Sequence, residues 1–90
     1  MNFSAGDIVL SKAGRDKNKH FIVLEIVNEN YVLIADGDIR KADSPKRKKC
    51  KHLENTGNKS ERVTEKLGEG VRVTNPDLKK ELAEYNEKDV

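Results

Sequence analysis

The sequence predicts a small, mainly β domain: five short, sequentially adjacent antiparallel strands in a closed or partly closed barrel, followed by a short helical C-terminal extension. Apolar residues crowd into three runs rich in Val and Ile within the first 35 residues, Ile8–Leu10, Phe21–Val27 and Tyr31–Ala35. The segments between them carry turn residues, and the chain beyond residue 55 changes to a polar and then a helical pattern. Closing a short-stranded sheet on itself also removes the exposed edges that would otherwise invite association.

The first strand, around Asp7–Ser11, is bounded by Gly6 and by Lys12-Ala13-Gly14. The second, Phe21–Val27, is apolar on both faces for most of its length, as expected of a curved strand crossing the centre of a barrel. Asn28-Glu29-Asn30 makes a three-residue hairpin loop in which Asn30 suits the left-handed position. The third strand ends at Asp36-Gly37, a strong two-residue turn signal that leads to an expected fourth strand at 38–41. After Pro45, the segment Lys49–Leu53 reads as the fifth strand, with Cys50 and either His52 or Leu53 turned inward.

Residues 55–59 then read as a polar linker, which divides the chain into a barrel over 1–55 and a linker with helical extension over 56–90. Ser60 caps a predicted helix running to Leu67, with Val63 and Leu67 on one face and Gly68 as its stop. A last helix starts with Asn75 as cap and Pro76 at the first helical position, and it carries Leu78, Leu82 and Tyr85 on one stripe. That stripe either covers an open side of the barrel or presents a docking face.

Ninety residues bury only roughly 60–65% of the unfolded surface, which leaves little room for a catalytic cavity. A single cysteine rules out an intramolecular disulfide and a cysteine-based zinc site within one chain. His20 and His52 are far apart in sequence, and no Ser-His-Asp or paired-carboxylate arrangement lies in an apolar setting. The expectation is therefore a protein that is no enzyme and needs no cofactor or metal. No apolar stretch resembles a signal peptide or a membrane span, so a cytoplasmic location and no membrane partner are expected.

The net charge of +2 conceals a segregation: residues 1–39 carry −2, residues 40–53 carry +6 and residues 54–90 carry −2. Two constellations follow. The turn Lys12–His20 holds Lys12, Arg15, Lys17 and Lys19 around Gly14 and Asn18, a shape that curls tightly while aiming cations outward at phosphate. The run Lys46-Arg47-Lys48-Lys49-Cys50-Lys51-His52 has five permanent cations and no acid. If it is a strand, Lys49 and Lys51 share one face roughly 6.5–7 Å apart, close to the spacing of successive RNA phosphates. The four aromatic residues are too few for base-by-base stacking along a single strand, which favours recognition of shape and phosphate.

Gly6-Asp7-Ile8-Val9-Leu10, Gly14, Asp16-Lys17-Asn18-Lys19 and Phe21-Ile22-Val23 together resemble the KOW motif of ribosomal proteins and transcription elongation factors. Asn18 and Phe21 stand where that motif commonly has glycine, and Ser11 where it has an apolar residue. The basic stretch that follows makes residues 5–55 similar to small bacterial KOW-domain RNA-binding proteins akin to a large-subunit ribosomal protein of archaea and eukaryotes. The resemblance implies an SH3-like β-barrel, and RNA binding without catalysis, with ribosomal RNA as partner and ribosomal proteins as neighbours. The RNA-binding residues expected are Lys12, Gly14, Arg15, Lys17, Lys19, Lys46, Arg47, Lys48, Lys49 and Lys51, on a chain that is monomeric when free. The alternative is a protein-interaction module of a ribosome or transcription assembly, joined through Val32, Ile34 or the terminal helix.

Overall fold

The computed structural model describes residues 3–86, so residues 1–2 and 87–90 of the two expected spans lie outside the described residues. Five antiparallel strands, β1 (Asp7–Ser11), β2 (His20–Ile26), β3 (Tyr31–Ala35), β4 (Lys46–Lys49) and β5 (Leu53–Lys59), form one sheet in the order β4-β3-β2-β1-β5. Two helices follow, α1 (Glu61–Gly68) and α2 (Asn75–Asn86). The chain is thus a small, mainly β domain with two short helices. No ladder joins β4 to β5 among the described residues; a single 3-10 turn, Cys50–His52, links these two outer strands.

The sheet is buried on both faces, and adjacent residues alternate between two cores. Val9, Phe21, Val23, Val32 and Ile34 form one cluster with Cys50 and Leu53. Ile8, Ile22 and Ala35 face the other way, into a cluster with Val63, Val73, Leu78 and Leu82. The two-sided apolarity of the second strand therefore has a different cause from the one expected: the helices cover its second face. Leu78 and Leu82 do cover the sheet, with Tyr85 packed at the margin of the same cluster, so the helical segment completes the core.

Three elements depart from expectation. Residues 38–41 form no strand, because the Asp36 carboxylate accepts hydrogen bonds from the amides of Asp38 and Arg40, both at 2.9 Å. The Asp36 and Gly37 amides in turn donate to the Arg40 carbonyl, which makes a rounded loop in place of a two-residue hairpin turn. The fourth strand lies instead at Lys46–Lys49, and the expected fifth strand is largely the 3-10 turn.

The expected linker at 55–59 and the expected boundary at 55 both fall inside β5. Its polar side chains make the edge pairing specific: Thr56 Oγ1 donates to the Ile8 carbonyl at 2.7 Å, and Asn55 Nδ2 donates to Asp7 Oδ2 at 3.1 Å.

The hairpin at 28–30 closes through Asn28, whose Oδ1 accepts from the amides of Asn30 and Tyr31. Among the described non-glycine residues only Asn18 has positive φ, so Asn30 does not take the left-handed position. Helix α1 starts as expected at Ser60, whose Oγ accepts from the Val63 amide and donates to Glu81 on α2. The cap of α2 lies one residue earlier than expected. Thr74 and Asp77 exchange side-chain and backbone hydrogen bonds reciprocally, and the Asn75 side chain instead accepts from the Ala42 amide at 2.7 Å.

Candidate nucleic-acid interface

The β1–β2 turn is built by backbone closure around two left-handed residues. Ser11 donates to the Lys19 carbonyl, Asn18 donates to the Ser11 carbonyl, and Lys17 donates to the Gly14 carbonyl. Gly14 has φ +78° and Asn18 φ +72°, conformations that glycine and asparagine adopt at low cost. Lys12, Arg15, Lys17 and Lys19 are all exposed on this turn. Its one acid, Asp16, is buried and held by Arg40, which donates through Nε at 3.1 Å and Nη2 at 3.3 Å. The local negative charge is thus offset by a planar cation, and the charged side chains that the turn exposes are all cations.

Strand β4 carries the second constellation in an asymmetric way. Lys46, Arg47 and Lys49 are exposed, whereas Lys48 is buried, and its Nζ donates to the Ala13 carbonyl at 3.0 Å. The register explains this: Lys48 stands opposite Val32, on the face that forms the first core cluster, so its stem runs along apolar surface before the ammonium reaches the Ala13 carbonyl in the turn. Lys48 is therefore not a solvent-facing phosphate ligand, contrary to expectation. It fastens the two basic segments together. The Lys12 amide reinforces the same junction by donating to the His52 carbonyl at 2.9 Å.

Lys49 and Lys51 do not alternate along one strand as expected, because the 3-10 turn starts between them. Both are exposed, and both border one cleft of about 430 Å³ that is also lined by Glu29, Asn30, Tyr31 and Cys50. Arg47 lies over the Tyr31 ring, its guanidinium carbon 4.4 Å from the ring centroid. Nine of the ten expected residues are thus exposed on two segments joined through Lys48 and Ala13.

Tyr31 and Arg40 were not expected in the site. Tyr31 becomes visible only through its diagonal neighbour on β4, whose position the sequence pattern misplaces. Arg40 becomes visible only through the tertiary approach of the 36–40 loop to Asp16.

His20 belongs to a different contact. Its backbone exchanges two hydrogen bonds with the Asn86 side chain, and its ring lies 4.9 Å from that of Tyr85, so it anchors the end of α2. Among the described residues, no group of three or more His, Cys, Asp or Glu is placed to hold a metal ion. No helix among them is long and apolar enough to cross a membrane. No protein-family model matches the chain, and no curated protein matches it significantly.

Proposed function

We propose that this chain binds structured RNA, ribosomal RNA in particular, through its phosphate backbone, as a non-catalytic, ribosome-associated factor of the cytoplasm with an SH3-like fold of the KOW type. The observation that carries this reading is the Lys48–Ala13 hydrogen bond, which ties together two basic segments that between them expose eight Lys and Arg side chains. Cys50 and Leu53, from the junction between the two outer strands, share a core with Val9 and Phe21, which supports the barrel-like reading. Phosphate contacts hold a protein on an RNA helix without reading its sequence, which suits a surface rich in flexible cations.

The apolar residues named for the protein-interaction alternative are occupied within the fold. Val32, Ile34, Leu78 and Leu82 are all buried, so none of them is offered to a partner.

The test is a salt titration of binding to a structured ribosomal RNA fragment. Neutralising about five phosphates gives log K against log salt a slope on the order of −3.5 to −4.5. Replacing Lys46, Arg47, Lys49 and Lys51 by serine, with Lys48 kept for its place in the fold, flattens that slope and weakens all RNA sequences alike. Affinity that ignores salt excludes the phosphate mechanism.

A further inference from the structure

Of the four aromatic residues, Phe21 is fully buried, Phe3 packs on the same cluster, and Tyr85 lies against His20 while its hydroxyl accepts from Asn58. Tyr31, partly buried like Phe3 and Tyr85, differs in its setting, because it lines a cleft with Lys49 and Lys51. Arg47 lies over its ring, and the adjoining cleft is lined by Tyr31 together with Glu29, Asn30, Lys49, Cys50 and Lys51. The cleft walls are held in place by backbone. The Cys50 amide donates to the Asn30 carbonyl at 2.8 Å, and Asn28 Oδ1 accepts from the amides of both Asn30 and Tyr31.

The cleft volume of about 430 Å³ falls within the roughly 300–1,000 Å³ of small-ligand sites. Its lining combines the groups a nucleotide needs. It has a tyrosine, the residue type on which bases stack, Glu29 and Asn30 with acceptors and an amide donor for a base edge, and Lys49 and Lys51 with cations for phosphate. A base within a duplex cannot reach such a ring, because its faces are covered by neighbouring pairs; an unpaired base can.

We propose that this cleft is a subsite for one unpaired nucleotide of the bound RNA, with its base against Tyr31 and its flanking phosphates on Lys49 and Lys51. The assignment rests on the RNA-binding reading above and adds to it a preference for bulged or looped RNA over a continuous helix.

The chain has no tryptophan and two tyrosines, so Tyr85→Phe leaves Tyr31 as its one tyrosine fluorophore. The 90-residue variant is titrated with two RNA hairpins that differ only by a single bulged adenosine. The bulged RNA is expected to quench Tyr31 emission and to bind roughly 5- to 150-fold more tightly, the range of one stacked base. Tyr31→Leu is expected to remove that advantage, so that the bulged and paired hairpins bind the variant equally and without the bulge-dependent gain, with circular dichroism reporting the fold.

Equal binding of both hairpins without quenching overturns the subsite and leaves the phosphate reading standing. Failure of the parent protein to bind either hairpin overturns both. Free adenosine monophosphate that quenches Tyr31 as strongly as the bulged RNA at equal concentration overturns the assignment to RNA. If Tyr31→Leu does not fold, the fluorescence of the Tyr85→Phe protein decides alone.

Discussion

The ammonium of Lys48 donates to the carbonyl of Ala13, joining the outer strand β4 to the turn between β1 and β2 across 35 residues of chain. A lysine that looks from its neighbours like one more surface charge is thereby a structural strut. Its burial is tolerable because the stem covers apolar surface opposite Val32 while the charge keeps a hydrogen-bond partner. The bond also sets the distance between the two cationic segments, so the geometry of the proposed RNA surface depends on a side chain that is itself largely hidden from RNA.

Lys48→Met keeps the aliphatic stem and removes the donor. It is expected to destabilise the fold by about 1–2 kcal/mol, because the Ala13 carbonyl loses a charge-assisted bond. The neighbouring Lys49→Met is expected to change stability by less than about 0.5 kcal/mol, as is usual for an exposed position. In RNA binding the order reverses in kind. Lys49→Met lowers the salt slope by about one unit, as for a lost phosphate contact, whereas Lys48→Met weakens binding by loosening the turn. Urea melts and salt titrations of the two variants distinguish these outcomes.

The Asp16–Arg40 pair holds the same turn to the 36–40 loop, with the Asp16 side chain 4% exposed and that of Arg40 29% exposed. Arg40→Met strands a buried carboxylate. The expected cost is about 1–3 kcal/mol, below that of a wholly buried pair because the arginine is partly in water. Adding Asp16→Asn to that variant is expected to restore part of the loss, so the double variant melts above the sum of the two single ones. Strict additivity in urea melts excludes the coupling.

The strands that bury residues on both faces were readable from the sequence, since Ile8-Val9, Phe21-Ile22 and Ile34-Ala35 each send one member to each core. Helix α1 was equally plain, because Ser60 and Val63 express a local hydrogen-bond rule. β4 and β5 were misplaced for a physical reason. In Lys46–Lys49 the one inward residue is a lysine, and in Leu53–Lys59 the one buried residue is Leu53, so neither carries an apolar alternation to detect. Both strands are outer strands of the sheet, set by pairing with residues far away in the chain. The basic residues of the site were visible as a composition; which of them faces inward, and that Tyr31 lies beneath Arg47, depends on a register that no local pattern contains.

Two glycines with nearly the same backbone separate conformational cost from steric cost. Gly14 has φ +78°, and a methyl there would come no closer than 3.4 Å to Lys48 Nζ; Gly37 has φ +81°, and a methyl there would lie 2.4 Å from the Asn75 carbonyl oxygen. Gly14→Ala is expected to cost about 1–2 kcal/mol, the penalty of the left-handed conformation alone. Gly37→Ala is expected to exceed it, because the start of α2 must also move. Gly14→Asn is expected to be milder than Gly14→Ala, since asparagine tolerates this region. Equal melting temperatures for the two alanine variants would contradict the close approach of α2 to the 36–40 loop.

Acid weakens the fold through the cap of α2. The Asp77 carboxyl is lowered from its ordinary 3.8 to about 2, first by the hydrogen bond from Lys66 Nζ at 2.6 Å and then by the Thr74 amide. A carboxyl whose pKa is depressed in the folded state binds fewer protons there than in the unfolded chain, so stability rises with pH across the interval. The contribution of Asp77 is complete above the ordinary carboxylate pKa and is lost as pH falls from near 3.8 through about 2. Asp77→Asn cannot ionise but still offers an acceptor to the Thr74 amide. It is expected to lower the urea midpoint at pH 6 and to narrow its gap from the parent protein as pH drops toward 2. A gap that stays constant over that range would show that the Lys66–Asp77 bond adds nothing specific to the charged form, and Lys66→Met measured over the same range would then match the parent protein.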